Sequence, residues 1–292
     1  MTRFARLLAL LLCLSVLGGC SLVRLGYGQL DTFALWTADE YFNLDADQKE
    51  AFVKRFTRLH EWHRYEQLPN YARFLESVRA RLERGVTRDD ALWVTESVRQ
   101  RYRTAVRRAA DDAAALLLTV TPEQLAALQR QWDEDNRRFV RDYRLDQDAD
   151  AQRRERARRV LSRIRDWTGH LDDAQDRKII ALANEMPLIH GLRHQDRLRR
   201  QREFMQLMGA RGKPREFAQR LGHWLANWEE GRNPDYHHRF QEWVQRQADF
   251  YTAVYRLLLP HQRTAVAEQL QRYADDFTRL SRRPAARAAA GR

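Results

Sequence analysis

The stretch Val120-Thr121-Pro122-Glu123-Gln124-Leu125-Ala126-Ala127-Leu128 reads as the start of a helix, and its pattern returns three more times. Thr121 sits three residues before Gln124. That is the spacing of a capping box, in which the short side chain accepts from an orphan backbone N–H and the glutamine reaches back to the cap. Pro122 stands at the first helical position, where its missing N–H costs nothing. The same spacing recurs as Asp45 with Gln48 and Asp172 with Gln175. In Leu258-Leu259-Pro260-His261-Gln262 the cap residue is missing, but the proline and Gln262 are kept. Each glutamine has an apolar residue four positions later: Phe52, Leu128, Ile179 and Val266.

Helical periodicity extends outward from these starts. Val98, Tyr102, Val106, Ala109, Ala113 and Leu116 fall on one face, as do Leu125, Leu128, Trp132 and Phe139. Ala157, Val160, Leu161, Ile164 and Trp167 form a third stripe, and Phe240, Val244, Tyr251, Val254 and Leu258 a fourth. Gly and Pro are sparse, and Leu, Ala, Arg, Gln and Glu are good helix formers. No alternating strand pattern competes. The expected fold is all-α, an antiparallel assembly of roughly eight to ten helices. Pro69 is expected to open a new helix after one ending near Gln67, and Gly85 with Thr87 to separate two more.

Aligning Gln124 with Gln262 also pairs Tyr102 with Phe240, Val106 with Val244 and Phe139 with Phe277. This shared register suggests two related halves, 20–147 and 148–281, followed by an Ala- and Arg-rich tail over 282–292 that is expected to be disordered. Capped amphipathic helices look alike, so the register also fits two unrelated halves.

The N-terminus carries a different signal. Arg3 and Arg6 precede an apolar run from Leu7 to Leu17, which is too short to span a bilayer. It ends in Leu17-Gly18-Gly19-Cys20, which resembles the lipobox of bacterial lipoproteins. The resemblance implies that residues 1–19 are a signal peptide, that Cys20 takes diacylglycerol, and that Ser21 in place of Asp sorts the protein to the outer membrane, facing the periplasm. The only other cysteine, Cys13, would leave with the signal, so thiol chemistry and internal disulfides drop out of the mature chain.

The formal charge is +12, and losing Arg3 and Arg6 with the signal lowers it to +10. A basic exported chain suggests anionic lipid or acidic protein partners and argues against nucleic acid. Two arginine-dense segments stand out, Arg153 to Arg165 and Arg193 to Arg202. Arg153, Arg154 and Arg158 lie in the first, and Arg193, Arg197, Arg199 and Arg200 in the second. They are the candidate basic binding surface; the alternative is a solvated helix face.

No catalytic constellation stands out in the sequence. His60, His63 and Glu66 share a helical side, as do His190 and His194 near Asp196, but aromatic neighbours make packing the simpler reading. No serine sits in a nucleophile elbow and no Gly-rich phosphate loop is present. No enzyme activity, metal or cofactor is expected.

Two family resemblances bear on function. The four capping motifs resemble the Leu-Thr-x-x-Gln motif of the Spy and CpxP periplasmic group, small all-helical dimers of which some hold unfolded proteins without ATP. No copy here has that motif complete. Tyr41-Phe42-Asn43-Leu44, Trp62-His63-Arg64 with Leu68-Pro69, and Asn136-Arg137-Arg138-Phe139 are similar to an uncharacterised Gram-negative lipoprotein family known only as a domain of unknown function. The expected role is a membrane-anchored binding module that holds unfolded envelope proteins without ATP. The alternative is a structural scaffold that contacts lipid or lipopolysaccharide, and a third reading is a hydrolase of envelope polymers.

Overall fold

The computed structural model describes residues 22–283, and every regular element among them is helical. In chain order these are α1 (Leu22–Gly28), α2 (Leu30–Phe42), α3 (Ala46–Trp62), α4 (Leu68–Glu83), α5 (Arg88–Leu117) and α6 (Pro122–Asp142). They continue as α7 (Ala149–Thr168), α8 (Asp173–Glu185), α9 (His190–Gly209), α10 (Pro214–Ala226), α11 (Pro234–Leu257) and α12 (Pro260–Leu280). The class is all-α, with more helices than the expected eight to ten. Part of the excess is α1 and α2, which carry no amphipathic stripe, and Gln29 makes no side-chain cap for α2.

Pro69 lies in the first turn of α4, as expected, but the chain stays helical across the boundary before it. The chain runs from α3 into α4 through one π-helical turn, His63–Gln67, in which the Leu68 N–H donates to the His63 carbonyl five residues back. Proline has no N–H for the carbonyl four residues before it, and its ring clashes there. Widening one turn accommodates both problems without a break.

The caps set the remaining boundaries. Asp45 accepts from the Gln48 backbone N–H at 2.8 Å, and the Gln48 Oε1 accepts from the Asp45 N–H at 3.1 Å. Thr121 with Gln124 and Asp172 with Gln175 repeat the exchange. At α12, Leu259 offers no side-chain acceptor, so only the return bond to Gln262 Oε1 forms, at 2.9 Å. A further box, Thr87 with Asp90, starts α5, with aspartate in the place of the glutamine.

The glutamines also meet in space. Gln48 Nε2 donates to Gln124 Oε1 at 3.0 Å, and Gln124 returns the bond. The remaining N–H of Gln48 goes to the Thr119 carbonyl and that of Gln124 to the carbonyl of Asn43. Asn43 ends α2 in the left-handed conformation that asparagine tolerates.

Two buried apolar clusters stand out among the described residues. One is formed by Ala157, Leu161, Ile164, Leu171, Ile179, Phe250 and Val254, from α7, α8 and α11 with the α7–α8 loop. The other joins Ala114 and Leu128 to Phe204, Met208, Phe217 and Leu221. Helices from the first half of the chain pack on helices from the second: α4 lies along α12, and α5 along α10 and α11. The α5–α10 approach is close, since a Cβ built at Gly222 would stand 3.1 Å from the Ala110 Cβ.

Candidate functional site

A groove runs beside α7, with α11 as its second wall. The α7 stripe supplies Val160, Ile164 and Trp167 to one end, and α11 adds Tyr251 and Val254. Leu258 and Val266 complete this apolar end, which encloses about 400 Å³. Val160, Arg163 and Tyr251 also line a second cleft of about 360 Å³, so the two adjoin along α7. The second cleft has a different chemistry. Arg156, Arg159, Arg163 and Arg193 line it together with Tyr143, Trp243 and Phe250, and Glu155 is its one carboxylate. Trp167 and Tyr251 are 36% and 42% exposed, so the groove is open to solvent rather than a closed tunnel.

Each arginine has a different duty. Arg156 Nη1 donates to the Met186 and Pro187 carbonyls at 2.7 and 3.2 Å, bracing the end of α8. Burial, and then Arg153, lower its pKa to about 10, so it remains a cation at neutral pH. Arg159 stacks over Tyr143 at 4.8 Å and pairs with Glu155 at 2.6 Å. Hydrogen bonds from Arg158, then Arg159, hold Glu155 at about 2, well below the usual carboxylate range, against the opposing effect of burial. Arg163, on the exposed side at the junction of the two ends, makes no ion pair or hydrogen bond among the described residues. Arg193 contacts the Phe139 ring at 6.0 Å and has no ion pair there either. The cleft is therefore cationic, with two guanidinium groups that make no ion pair among the described residues. His190 adds no charge at neutral pH, because burial and then the nearby Arg193, Arg156 and Arg159 push its pKa down to about 4.

Of the seven arginines picked from sequence, only Arg193 lines the groove. Arg153 and Arg158 pair with Asp150 and Glu155 on their own helix, and Arg154 is exposed. Arg197 donates to Asn136 Oδ1 at 2.8 Å. Arg199 is tied to Asp196, Glu203 and the Trp228 and Glu230 carbonyls. Arg200 lies 3.6 Å over the Trp224 ring, beside Glu203. The groove instead takes Arg156, Arg159 and Arg163, which lie in the first arginine-dense segment but were not among the seven. Their spacing of three and four places them alongside Val160, Ile164 and Trp167, and that periodicity was the available signal.

The two histidine pairs are packed in aromatic surroundings. Tyr27 Oη lies 2.8 Å from His63 Nδ1, and its ring sits 4.7 Å from His60. His190 stacks on Tyr143 at 4.1 Å and His194 on Phe139 at 5.7 Å. Among the described residues no group of three or more His, Cys, Asp or Glu is placed to hold a metal ion, and no helix is long and apolar enough to cross a membrane. Cys20 and Ser21 lie outside the described residues, as does the tail beyond 283.

No curated protein and no solved structure matched the chain. Residues 40–237 match the sequence pattern of a family of unknown function, DUF6279, over more than half of the chain. The chain belongs to that family.

Proposed function

We propose that the protein is a lipid-anchored periplasmic binding module of the outer membrane that holds unfolded envelope proteins in the α7–α11 groove without nucleotide. The observation carrying this reading is an open apolar trough that shares Val160, Arg163 and Tyr251 with a cationic, aromatic cleft. A protein segment caught before folding exposes apolar side chains beside charged ones. Apolar contact at Val160, Ile164 and Trp167 would supply most of the hold. Arg163 and Arg193 would favour segments that also carry carboxylates. The resemblance of the capping motifs to those of small periplasmic chaperones points the same way. The Leu17-to-Cys20 pattern supplies the anchor, with diacylglycerol on the Cys20 thiol.

The test is light scattering from an acidic client during refolding, with the soluble form that starts at Ser21. Near-stoichiometric protein should slow aggregation, and Trp167→Glu with Tyr251→Glu should remove most of the effect while leaving the helical signal unchanged. No slowing for any client, or equal slowing by the double variant, would end the groove reading. The anchor is tested separately by the mass of the mature N-terminus and by membrane fractionation of Cys20→Ser.

A second reading has its own supporting observation. An apolar trough of about 400 Å³ next to unpaired arginines also matches an amphiphile with an acidic head group. Protection of Arg163 and Trp167 by an anionic lipid, with no effect on client aggregation, would favour it.

A further inference from the structure

α2 is apolar on both sides yet buries none of its residues fully. Its inner side, with Tyr41 and Phe42, packs against the core around Leu128 and Phe204, and Tyr41 Oη donates to Asp135. On the outer side Phe33 and Trp36 stand one turn apart, 57% and 64% exposed, and Leu25 on α1 is 58% exposed. These side chains cannot simply fold away, because α1 is pinned. Arg24 pairs with the nearly buried Asp276 at 3.1 Å, and Tyr27 meets His63. Large apolar residues held outward on a soluble protein mark a contact surface.

We propose that this face of α1 and α2 enters the interfacial layer of a phospholipid bilayer as a second, non-covalent membrane contact. The location argument rests on the lipid anchor at Cys20. Only Ser21 separates that cysteine from Leu22, where α1 begins. An extended chain covers at most about 3.6 Å per residue, so the helix starts within roughly 7 Å of the anchored cysteine. α1 therefore starts at the membrane surface, and Leu25, Phe33 and Trp36 follow within the next 14 residues, so lipid is the first partner within reach. The residue types agree with this occupant: tryptophan favours the bilayer–water boundary, and phenylalanine and leucine the acyl side. Charge plays little part. The exposed charges on α2 are Asp31 and Glu40, and α2 has no basic residue. The contact is therefore apolar, and zwitterionic lipid suffices.

The experiment is flotation of the soluble, unlipidated form with phosphatidylcholine vesicles at moderate salt, so that neither the anchor nor the basic surface contributes. The wild-type soluble form should float with the vesicles. Phe33→Ser with Trp36→Ser should lower partitioning by about tenfold or more, since two large apolar side chains are lost from the contact. Both side chains are exposed, so the helical signal and melting should be unchanged. Failure of the wild type to float, or equal flotation of the variant, overturns the proposal and leaves the anchor at Cys20 untouched. A concentration-dependent dimer that the variant abolishes, without flotation, assigns the face to a second copy of the chain and also overturns it.

Discussion

Gln175 and Gln262, 87 residues apart, hold each other by reciprocal amide hydrogen bonds of 2.8 and 3.0 Å. The second N–H of Gln175 goes to the Leu257 carbonyl, and that of Gln262 to His170. Each of these carbonyls lies two residues ahead of the other glutamine's helix cap. Gln48 and Gln124 follow the same rule with Thr119 and Asn43. Every glutamine thus uses two acceptor and two donor positions in a buried place. Each pair locks two helix starts together, and the same offsets recur in both halves of the chain.

A glutamine pair so fully bonded should act as one unit. Gln175→Leu is expected to cost about 2–3 kcal/mol, because it leaves the Leu257 carbonyl and half of the Gln262 amide unpaired. Gln262→Leu in that background should cost less than it does alone, with a coupling of about 1–2 kcal/mol. Urea unfolding of the two single variants and the double variant measures this. Additive losses would show that the amides do not work as a pair.

The cap chemistry was legible because it is local: Asp or Thr three residues before Gln has one dominant meaning at a helix start. That the four glutamines would meet in twos was not, since their partners lie 76 and 87 residues away. The π turn was not legible for a related reason: Pro69 reads locally as a break, and a widened turn that carries the helix past it has no local sequence mark. The groove was half legible. The stripe through Val160, Ile164 and Trp167 shows in its periodicity, but which arginines flank it and which are absorbed elsewhere depends on what packs across from them.

Arg199 illustrates the difference. Its guanidinium binds Asp196, Glu203 and two backbone carbonyls while 16% exposed. Arg199→Ala should therefore destabilise the fold by about 2–3 kcal/mol, since it leaves charged and backbone acceptors unpaired. Arg154→Ala, at an exposed position, should stay within about 0.5 kcal/mol of the wild type. Chemical denaturation of the two variants decides it, and equal stabilities would show that the Arg199 network is not structural.

Stability should fall as pH drops from 6.5 toward 4. His190 is held neutral in the fold at about 4, by burial first and by Arg193 next. The unfolded chain takes up that proton near 6.5, so it binds more protons throughout this window, and acid favours unfolding. Burial lowers His60 and His63 as well, adding to the same trend. His190→Phe keeps a ring against Tyr143 and removes the titration. It should reduce the loss between pH 7.5 and 5 by about 1 kcal/mol, a figure discounted for the partial solvent screening of the ring. Urea midpoints at the two pH values provide the measurement, and an unchanged loss would place the titrating groups elsewhere.

Arg163 offers the cleanest probe of the groove, because it sits at the junction of the two ends and has no partner to lose. Arg163→Glu should leave stability within about 0.5 kcal/mol of the wild type. It changes the local charge by two units where the apolar trough meets the cationic cleft. Capture of acidic clients should slow several-fold at low salt, and capture of basic clients should not. The contrast should shrink as salt rises, since the screening length falls from about 10 Å at 0.1 M to about 3 Å at 1 M. Arg163→Lys keeps the charge and should stay near the wild type with either client. Light-scattering time courses at three salt concentrations separate these outcomes. If Arg163→Glu alters acidic and basic clients equally, or neither, the basic end of the groove is not where clients are held.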